Sequence, residues 1–333
     1  MDKFKQKTEK KKVLLMGRSG AGKSSMRSII FSNYVAKDVR RLPTTIGVES
    51  STFKFLGNLM LNIWDCGGQG AYVESYLHDS AERTKVFSGV GVLIYVFDVE
   101  SREFDTEDRN ARDLVTYSAI VKALAENSPQ ARVFALVHKM DLVQTDFREQ
   151  VLKDKSSAIR QRSGTFQRTI RTYGTSIWDQ TLYKAWGMIV HSLIPNLDVI
   201  EGILSDLVGI TEAEEIILFE RTTFLTVTSV KSEIGERNPY EDRFERLSNI
   251  IKTFKSSIST FTGSSTSSHQ FGELYIKTTR FNLIVAMLTT NTYALIVLPP
   301  GEVELQCTRL NLFIARDQFV QLAGFSDESR KSQ

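Results

Sequence analysis

One octapeptide constrains this chain more than any other feature. Gly17-Arg18-Ser19-Gly20-Ala21-Gly22-Lys23-Ser24 fills every fixed position of G-x-x-x-x-G-K-[ST], a phosphate-binding loop. Residues 12–16 before it are an apolar run that reads as a buried strand. Residues 24–31 after it read as a helix with Met26, Ile29, Ile30 and Phe31 apolar. The chemistry needs these residue types. Glycines at 17, 20 and 22 let the backbone bend so that the N–H groups from Arg18 to Ser25 face an anion. The helix N-terminus adds a partial positive charge at the same spot. Lys23 can reach β- and γ-phosphate oxygens, and the Ser24 hydroxyl can ligate Mg²⁺. A glycine-rich turn with a solvated lysine is the bland alternative; it does not call for a strand and a helix on either side.

The rest of the composition narrows the field. At 333 residues the chain has length for about two domains. Its 42 basic and 39 acidic residues leave a net charge of +3, too balanced to argue for nucleic acid as the main ligand. The basic start reads as a solvated tail. Cys66 and Cys307 form no metal or redox spacing, which fits a reducing compartment. The most apolar region, 281–298, is interrupted by Thr289-Thr290-Asn291-Thr292 and reads as two strands and a turn. With no signal peptide and no lipidation site at either end, direct membrane insertion is not expected.

The order of elements predicts an α/β sheet domain followed by an α+β domain. Strands are expected at 51–56 and 60–64 around a Gly57-Asn58 turn, at 91–98, at 133–137 and at 171–176. Helices are expected at 72–87, 103–126 and 179–193, with a charged helix and loop over 147–167. Pro195 marks the boundary, giving a tail at 1–10, a first domain at 11–195, a second at 196–325 and a polar tail at 326–333. The second domain should hold a helical connector at 197–207 and a strand region at 215–227. A helical stripe should run over 244–261, with a Ser/Thr-rich loop at 263–268. Strands at 271–277, 281–288 and 293–298 and a helix at 303–322 complete it. A sheet with helices on one face leaves its other face for a partner.

Three further segments stand at strand ends, where an α/β sheet gathers ligand-binding groups. Asp65 can hold Mg²⁺ through water, the Gly68 N–H can meet a γ-phosphate, and Gln69 can orient a water for in-line attack. His138-Lys139-Met140-Asp141 is similar to the N-K-x-D element of small GTPases, with His in place of Asn. Asp141 can accept from guanine N1–H and N2–H₂, a donor pair adenine lacks, while the Lys139 stem packs over the base. Thr175-Ser176-Ile177 offers backbone N–H groups to guanine O6, from Ser176 and Ile177. In the early loop Thr44 and Thr45 are candidates for a second Mg²⁺ hydroxyl.

G-R-S-G-A-G-K-S-S-M-R-S (17–28), N-I-W-D-C-G-G-Q (62–69), V-F-D-V-E-S (96–101), H-K-M-D-L-V (138–143), T-S-I-W-D (175–179) and I-I-L-F-E-R-T-T-F-L (216–225) resemble the Rag GTPases, of the RagA/RagB rather than the RagC/RagD type. The resemblance spans both domains and implies a Ras-like P-loop GTPase domain followed by a roadblock-type domain. It implies a GTP/GDP switch with Mg²⁺ and a RagC/RagD-type partner bound through the C-terminal domain. Of the two threonines it implies Thr45 for the second Mg²⁺ hydroxyl, since Thr45 stands where members carry A-T-I. It also implies peripheral residence on the cytoplasmic face of the lysosomal or vacuolar membrane, and in the cytoplasm. There a Ragulator- or EGO-type scaffold would hold the protein, which would signal amino-acid sufficiency to target of rapamycin complex 1. No arginine finger can be assigned, so turnover should be slow until a GTPase-activating complex supplies that charge. Residues 42–49, 71–82 and 147–168 depart from the family pattern. The alternative is a nucleotide-binding scaffold subunit that does not hydrolyse and acts through its C-terminal domain. A trafficking GTPase is a third reading, weakened by the second domain; Asp141 disfavours an ATPase or kinase.

Overall fold

The computed structural model describes residues 9–32, 34, 36–37, 39, 42–43, 45–56, 59–104, 112–194, 196–237, 253–254, 257, 272–289, 291–301 and 305–322. Several expectations lie outside these residues: residues 1–8 of the first tail (Glu9 and Lys10 belong to the first strand), the second tail, the Gly57-Asn58 turn, Thr44, Pro195, the Ser/Thr-rich loop and nearly all of the stripe at 244–261. The chain divides into two compact units, one built from Glu9–Phe53 and Met60–Ile189, the other mainly from Val190 onward.

The first unit holds a six-stranded sheet: β1 (Glu9–Gly17), β2 (Val48–Leu56), β3 (Leu59–Cys66), β4 (Val90–Asp98), β5 (Arg132–His138) and β6 (Arg171–Thr175), in the order β2-β3-β1-β4-β5-β6. The pairs β1–β4, β4–β5 and β5–β6 are parallel. Parallel strands in mid-sheet are covered on both faces, so they read as unbroken apolar runs. Val13–Met16, Val92–Phe97 and Val133–Val137 are such runs, and every residue in them is buried. The helices are α1 (Lys23–Phe31), α2 (Gly70–His78), α3 (Ser80–Phe87), α4 (Arg112–Asn127), α5 (Arg148–Gln161) and α6 (Thr181–His191).

Two boundaries differ from expectation. The helix expected over 72–87 is two helices. Asp79 is extended (φ −77°, ψ 117°), and its carboxylate accepts from the N–H groups of Ala81 and Glu82. An aspartate that caps a new helix competes with continuing the old one. The helix expected from residue 103 does not begin there, because Glu103 sits in a turn closed by the Phe104 N–H on the Ser101 carbonyl; residues 105–111 lie outside the described residues.

The second unit contains α7 (Leu197–Thr211), β7 (Glu215–Glu220), β8 (Thr226–Lys231), a short α8 (Glu233–Glu236), β9 (Glu273–Lys277), β10 (Asn282–Thr289), β11 (Thr292–Leu298) and α9 (Leu305–Leu322). Its antiparallel sheet runs β8-β7-β11-β10-β9. The single strand region expected at 215–227 is a hairpin, because the Glu220 carboxylate accepts from the N–H groups of Thr222 and Thr223 and turns the chain. The expected open sheet face is also corrected at its centre: β7 and β11 are buried at every residue. Exposed apolar side chains lie on α9, at Leu310, Phe313 and Ile314, and on the sheet at Tyr275 of β9 and Met287 of β10. Among the described residues no helix is long and apolar enough to cross a membrane.

Candidate active site

β1 ends at Gly17 (φ 140°), hard against β4. A Cβ there would stand 2.3 Å from the Val96 carbonyl oxygen, so only glycine fits. Gly22 (φ 97°) occupies the N-cap of α1 and supplies no side-chain cap, so the first-turn N–H groups keep their partial positive charge for another acceptor. Lys23 folds back over the loop, its Nζ donating to the Gly17 carbonyl at 2.8 Å and the Arg18 carbonyl at 2.7 Å. Burial lowers its pKa to about 8, with Asp65 and Cys66 pulling the other way, so it stays largely cationic at neutral pH. Arg18 contributes only backbone to this cradle. Its guanidinium turns away to Glu103 at 2.9 Å, Ser101 Oγ at 3.3 Å and Asp113 at 3.3 Å.

Beside the loop, Ser24 Oγ and Thr45 Oγ1 are 2.6 Å apart. The Asp65 side chain is fully buried, and neither carboxylate oxygen closes a hydrogen bond. Burial raises its pKa, opposed by the Ser24 hydroxyl, Arg27 and Lys23 in that order. Arg27 Nε stands 3.7 Å from Oδ2. Two hydroxyls next to a buried carboxylate make an all-oxygen donor set suited to a hard cation such as Mg²⁺. Among the described residues no group of three or more His, Cys, Asp and Glu side chains is placed to hold a metal.

The segment after β3 is bound down on both sides. The Ser19 N–H donates to the Gly68 carbonyl at 3.1 Å. The Gly47 carbonyl, in the early loop, accepts from the Gly67 N–H at 2.7 Å and the Tyr76 hydroxyl at 2.9 Å. Gly68 thus meets the phosphate loop through its carbonyl. Gln69 is the N-cap residue of α2, and its Oε1 is buried without a partner. It lines a cleft of about 1180 Å³ between α2–α3 and α4, together with Tyr95 and Asp113.

At the end of β5, the buried His138 ring joins two loops. Its Nδ1 is 2.9 Å from Thr175 Oγ1, and its Nε2 edge packs on Gly22, where a Cβ would come within 2.7 Å of Cδ2. Burial, aided by Lys139, lowers its pKa to about 4, so the imidazole is neutral near pH 7. Lys139, in the left-handed region (φ 64°), donates to Asp98 Oδ2 at 2.6 Å. Ser176 Oγ donates to Asp141 Oδ1 at 2.6 Å. The Ser176 N–H is committed to Thr181 Oγ1 at 2.9 Å, which corrects the expectation that it faces the base. The Trp178 N–H is held by Ser176 Oγ at 3.0 Å.

With this geometry in place, a family model described as the Gtr1/RagA G protein conserved region matches residues 12–251. The chain belongs to the Gtr1/RagA family of G proteins. It is 50% identical over 309 residues to the GTP-binding protein gtr1 of Schizosaccharomyces pombe, covering 92% of this chain and 94% of that one. It is 45% identical to the Ras-related GTP-binding protein A of Dictyostelium discoideum, covering 93% and 97%. Identity to the GTP-binding protein GTR2 of Saccharomyces cerevisiae is 28%, covering 65% and 61%. The chain is therefore of the RagA/RagB type, its first unit the G domain and its second a five-stranded antiparallel sheet with helices. In this Gtr1/RagA chain the motifs named the site side chains but not their partners. Asp98, Thr175 and Thr181 carry a signal, a polar residue at or just after a strand end. Gly47, Tyr76 and Asp113 carry none.

Proposed function

We propose that the chain is a Rag-type GTPase that binds GTP and GDP and hydrolyses GTP slowly. It switches between two loop arrangements as one half of a heterodimer signalling amino-acid sufficiency to target of rapamycin complex 1. The observation that carries this reading is the His138 bridge, which ties the phosphate loop at Gly22 to the base loop at Thr175. A ligand that needs both ends, a guanine nucleoside triphosphate, matches that spacing of functions. The cradle N–H groups and Lys23 take the phosphates; Asp141, held by Ser176, and the Ile177 N–H take the guanine edge. Ser24 and Thr45, with Asp65 through water, would hold Mg²⁺, which supplies charge neutralisation at the phosphate oxygens. Thr45 and Gly68 answer the γ-phosphate, drawing the early loop and the α2 segment inward; hydrolysis releases them.

Hydrolysis requires the Gln69 amide to leave the cleft wall and align a water. Arg18 is tied to Glu103 and Asp113, so the stabilising arginine comes from an activating complex. Replacing Gln69 by leucine should lower activator-stimulated single-turnover hydrolysis by roughly 10²-fold or more while leaving nucleotide affinity within about twofold. Hydrolysis at the wild-type rate would remove Gln69 from the reaction. The stowed Gln69 also favours a second reading, a scaffold subunit that binds nucleotide without hydrolysing it. Single-turnover assays with and without activator separate the two.

The apolar strip on α9 supports pairing with a RagC/RagD-type chain, and a Ragulator- or EGO-type scaffold would hold the pair at the vacuolar or lysosomal surface. Charging that strip with Leu310→Asp and Phe313→Asp should abolish co-purification with such a partner and leave GDP binding unchanged. A pair that survives both changes excludes α9 from the interface.

A further inference from the structure

We propose that Asp113 is a positioning residue for the phosphate loop, acting through Arg18 to set how long a bound guanine nucleotide is retained. The inference rests on the nucleotide site proposed above and adds to it a residue on α4 that touches neither phosphate nor base.

Asp113 lies in the first turn of α4 and is 2% exposed. A carboxylate so placed is held only if its charge is matched. Two groups match its charge: the Ser101 hydroxyl donates to Oδ2 at 2.6 Å, and Arg18 Nε forms an ion pair with Oδ1 at 3.3 Å without closing a hydrogen bond. Burial raises the Asp113 pKa while Ser101 and then Arg18 hold it down. The Arg18 guanidinium reaches Ser101 Oγ and Glu103 as well, so its planar fork is held from several directions. The chain on the Gly17 side of Arg18 is held by strand pairing, with Gly17 opposite Val96 of β4. The Arg18 carbonyl is the group that accepts from Lys23 Nζ at 2.7 Å and from the Ala21 N–H at 3.3 Å. A strut therefore runs from α4 through Asp113 and Arg18 to the carbonyl that aims the phosphate-binding ammonium. Without Asp113, Arg18 keeps Glu103, a half-exposed partner whose pull is screened by solvent. The Arg18 carbonyl then loses its fixed placement, and Lys23 with it. The strut also floors the cleft that Gln69 lines, so anything pressing on α4 there meets the same two side chains.

The test is a chase of fluorescent GDP from the full-length protein, comparing wild type, Asp113→Asn, Arg18→Gln and the double variant, each with its thermal midpoint. Each single variant should release GDP about tenfold faster, and the double about tenfold rather than a hundredfold, because both changes cut one strut. Arg18→Lys should restore only part of the retention, since it keeps the charge and loses the fork. Release at the wild-type rate from either single variant, whatever its midpoint, or effects that multiply in the double, would overturn the proposal. Arg18 is exposed enough that Arg18→Gln reports even if Asp113→Asn does not fold. A wild-type chain that retains no GDP overturns the nucleotide site itself and this inference with it. Retention unchanged in the variants overturns the strut alone.

Discussion

Changing Asp141 to asparagine should weaken binding of GTP by roughly 10²-fold and bring xanthosine triphosphate into the range where GTP stood. Guanine presents two donors, N1–H and the 2-amino group, and a carboxylate accepts from both. Xanthine carries a carbonyl oxygen in place of the 2-amino group. Against xanthine the asparagine amide accepts with its oxygen and donates with its nitrogen; against guanine one of those pairs becomes a clash of donors. A mispaired buried hydrogen bond costs roughly 1–3 kcal/mol, and each 1.4 kcal/mol is tenfold in affinity. The Ser176 hydroxyl now donates to Asp141 Oδ1 at 2.6 Å and is itself held by the Trp178 N–H at 3.0 Å. It can donate equally to an amide oxygen, so the replaced side chain should keep its orientation. Competition titrations with the two triphosphates read the result. An unchanged preference for GTP would mean that Asp141 does not read the base.

Gly68 and Gly70 offer a matched pair with opposite outcomes. A Cβ on Gly68 would stand 2.2 Å from the Gly17 carbonyl oxygen, 2.3 Å from the Arg18 carbonyl carbon and 2.4 Å from the Ser19 nitrogen. All three are backbone atoms of the phosphate loop, with no flexible end to yield. A Cβ on Gly70 meets nothing within 4 Å and opens helix α2. Gly68→Ala should drive the segment off the phosphate loop, break the Ser19–Gly68 hydrogen bond and destabilise the domain by roughly 1–3 kcal/mol. That lowers the thermal midpoint by several degrees, at about 2–4 °C per kcal/mol. Hydrogen exchange should rise by at least about tenfold at Ser19 and at the amides just after Asp65. Gly70→Ala should leave both measures unchanged or slightly improved, since alanine favours the helix. If the two substitutions behave alike, the packing of Gly68 on the phosphate loop is not what holds this segment.

Much of the first unit was legible because its strongest signals are local. The phosphate loop needs only eight consecutive residues and their neighbours, and β1, β4 and β5 announce themselves as unbroken apolar runs. What stayed hidden depends on capping and on distance. Asp79 and Glu220 each turn the chain by binding N–H groups two or three residues ahead, so a helix became two and a strand became a hairpin. In the site, the motifs picked out Ser24, Thr45, His138, Asp141 and Ser176. They could not say that Ser24 pairs with Thr45 across 21 positions, or His138 with Thr175 across 37. Arg18 shows the limit most clearly. Its place in the phosphate loop suggests a phosphate ligand, yet Asp113, 95 residues further along, takes its side chain.

Calorimetric titration of the nucleotide-free full-length chain with Mg²⁺-GTP and then Mg²⁺-ATP tests the central claim most directly. The account predicts one site per chain, with GTP bound at least about 10²-fold more tightly than ATP. Equal affinity for the two nucleotides, or no binding of either, would contradict it.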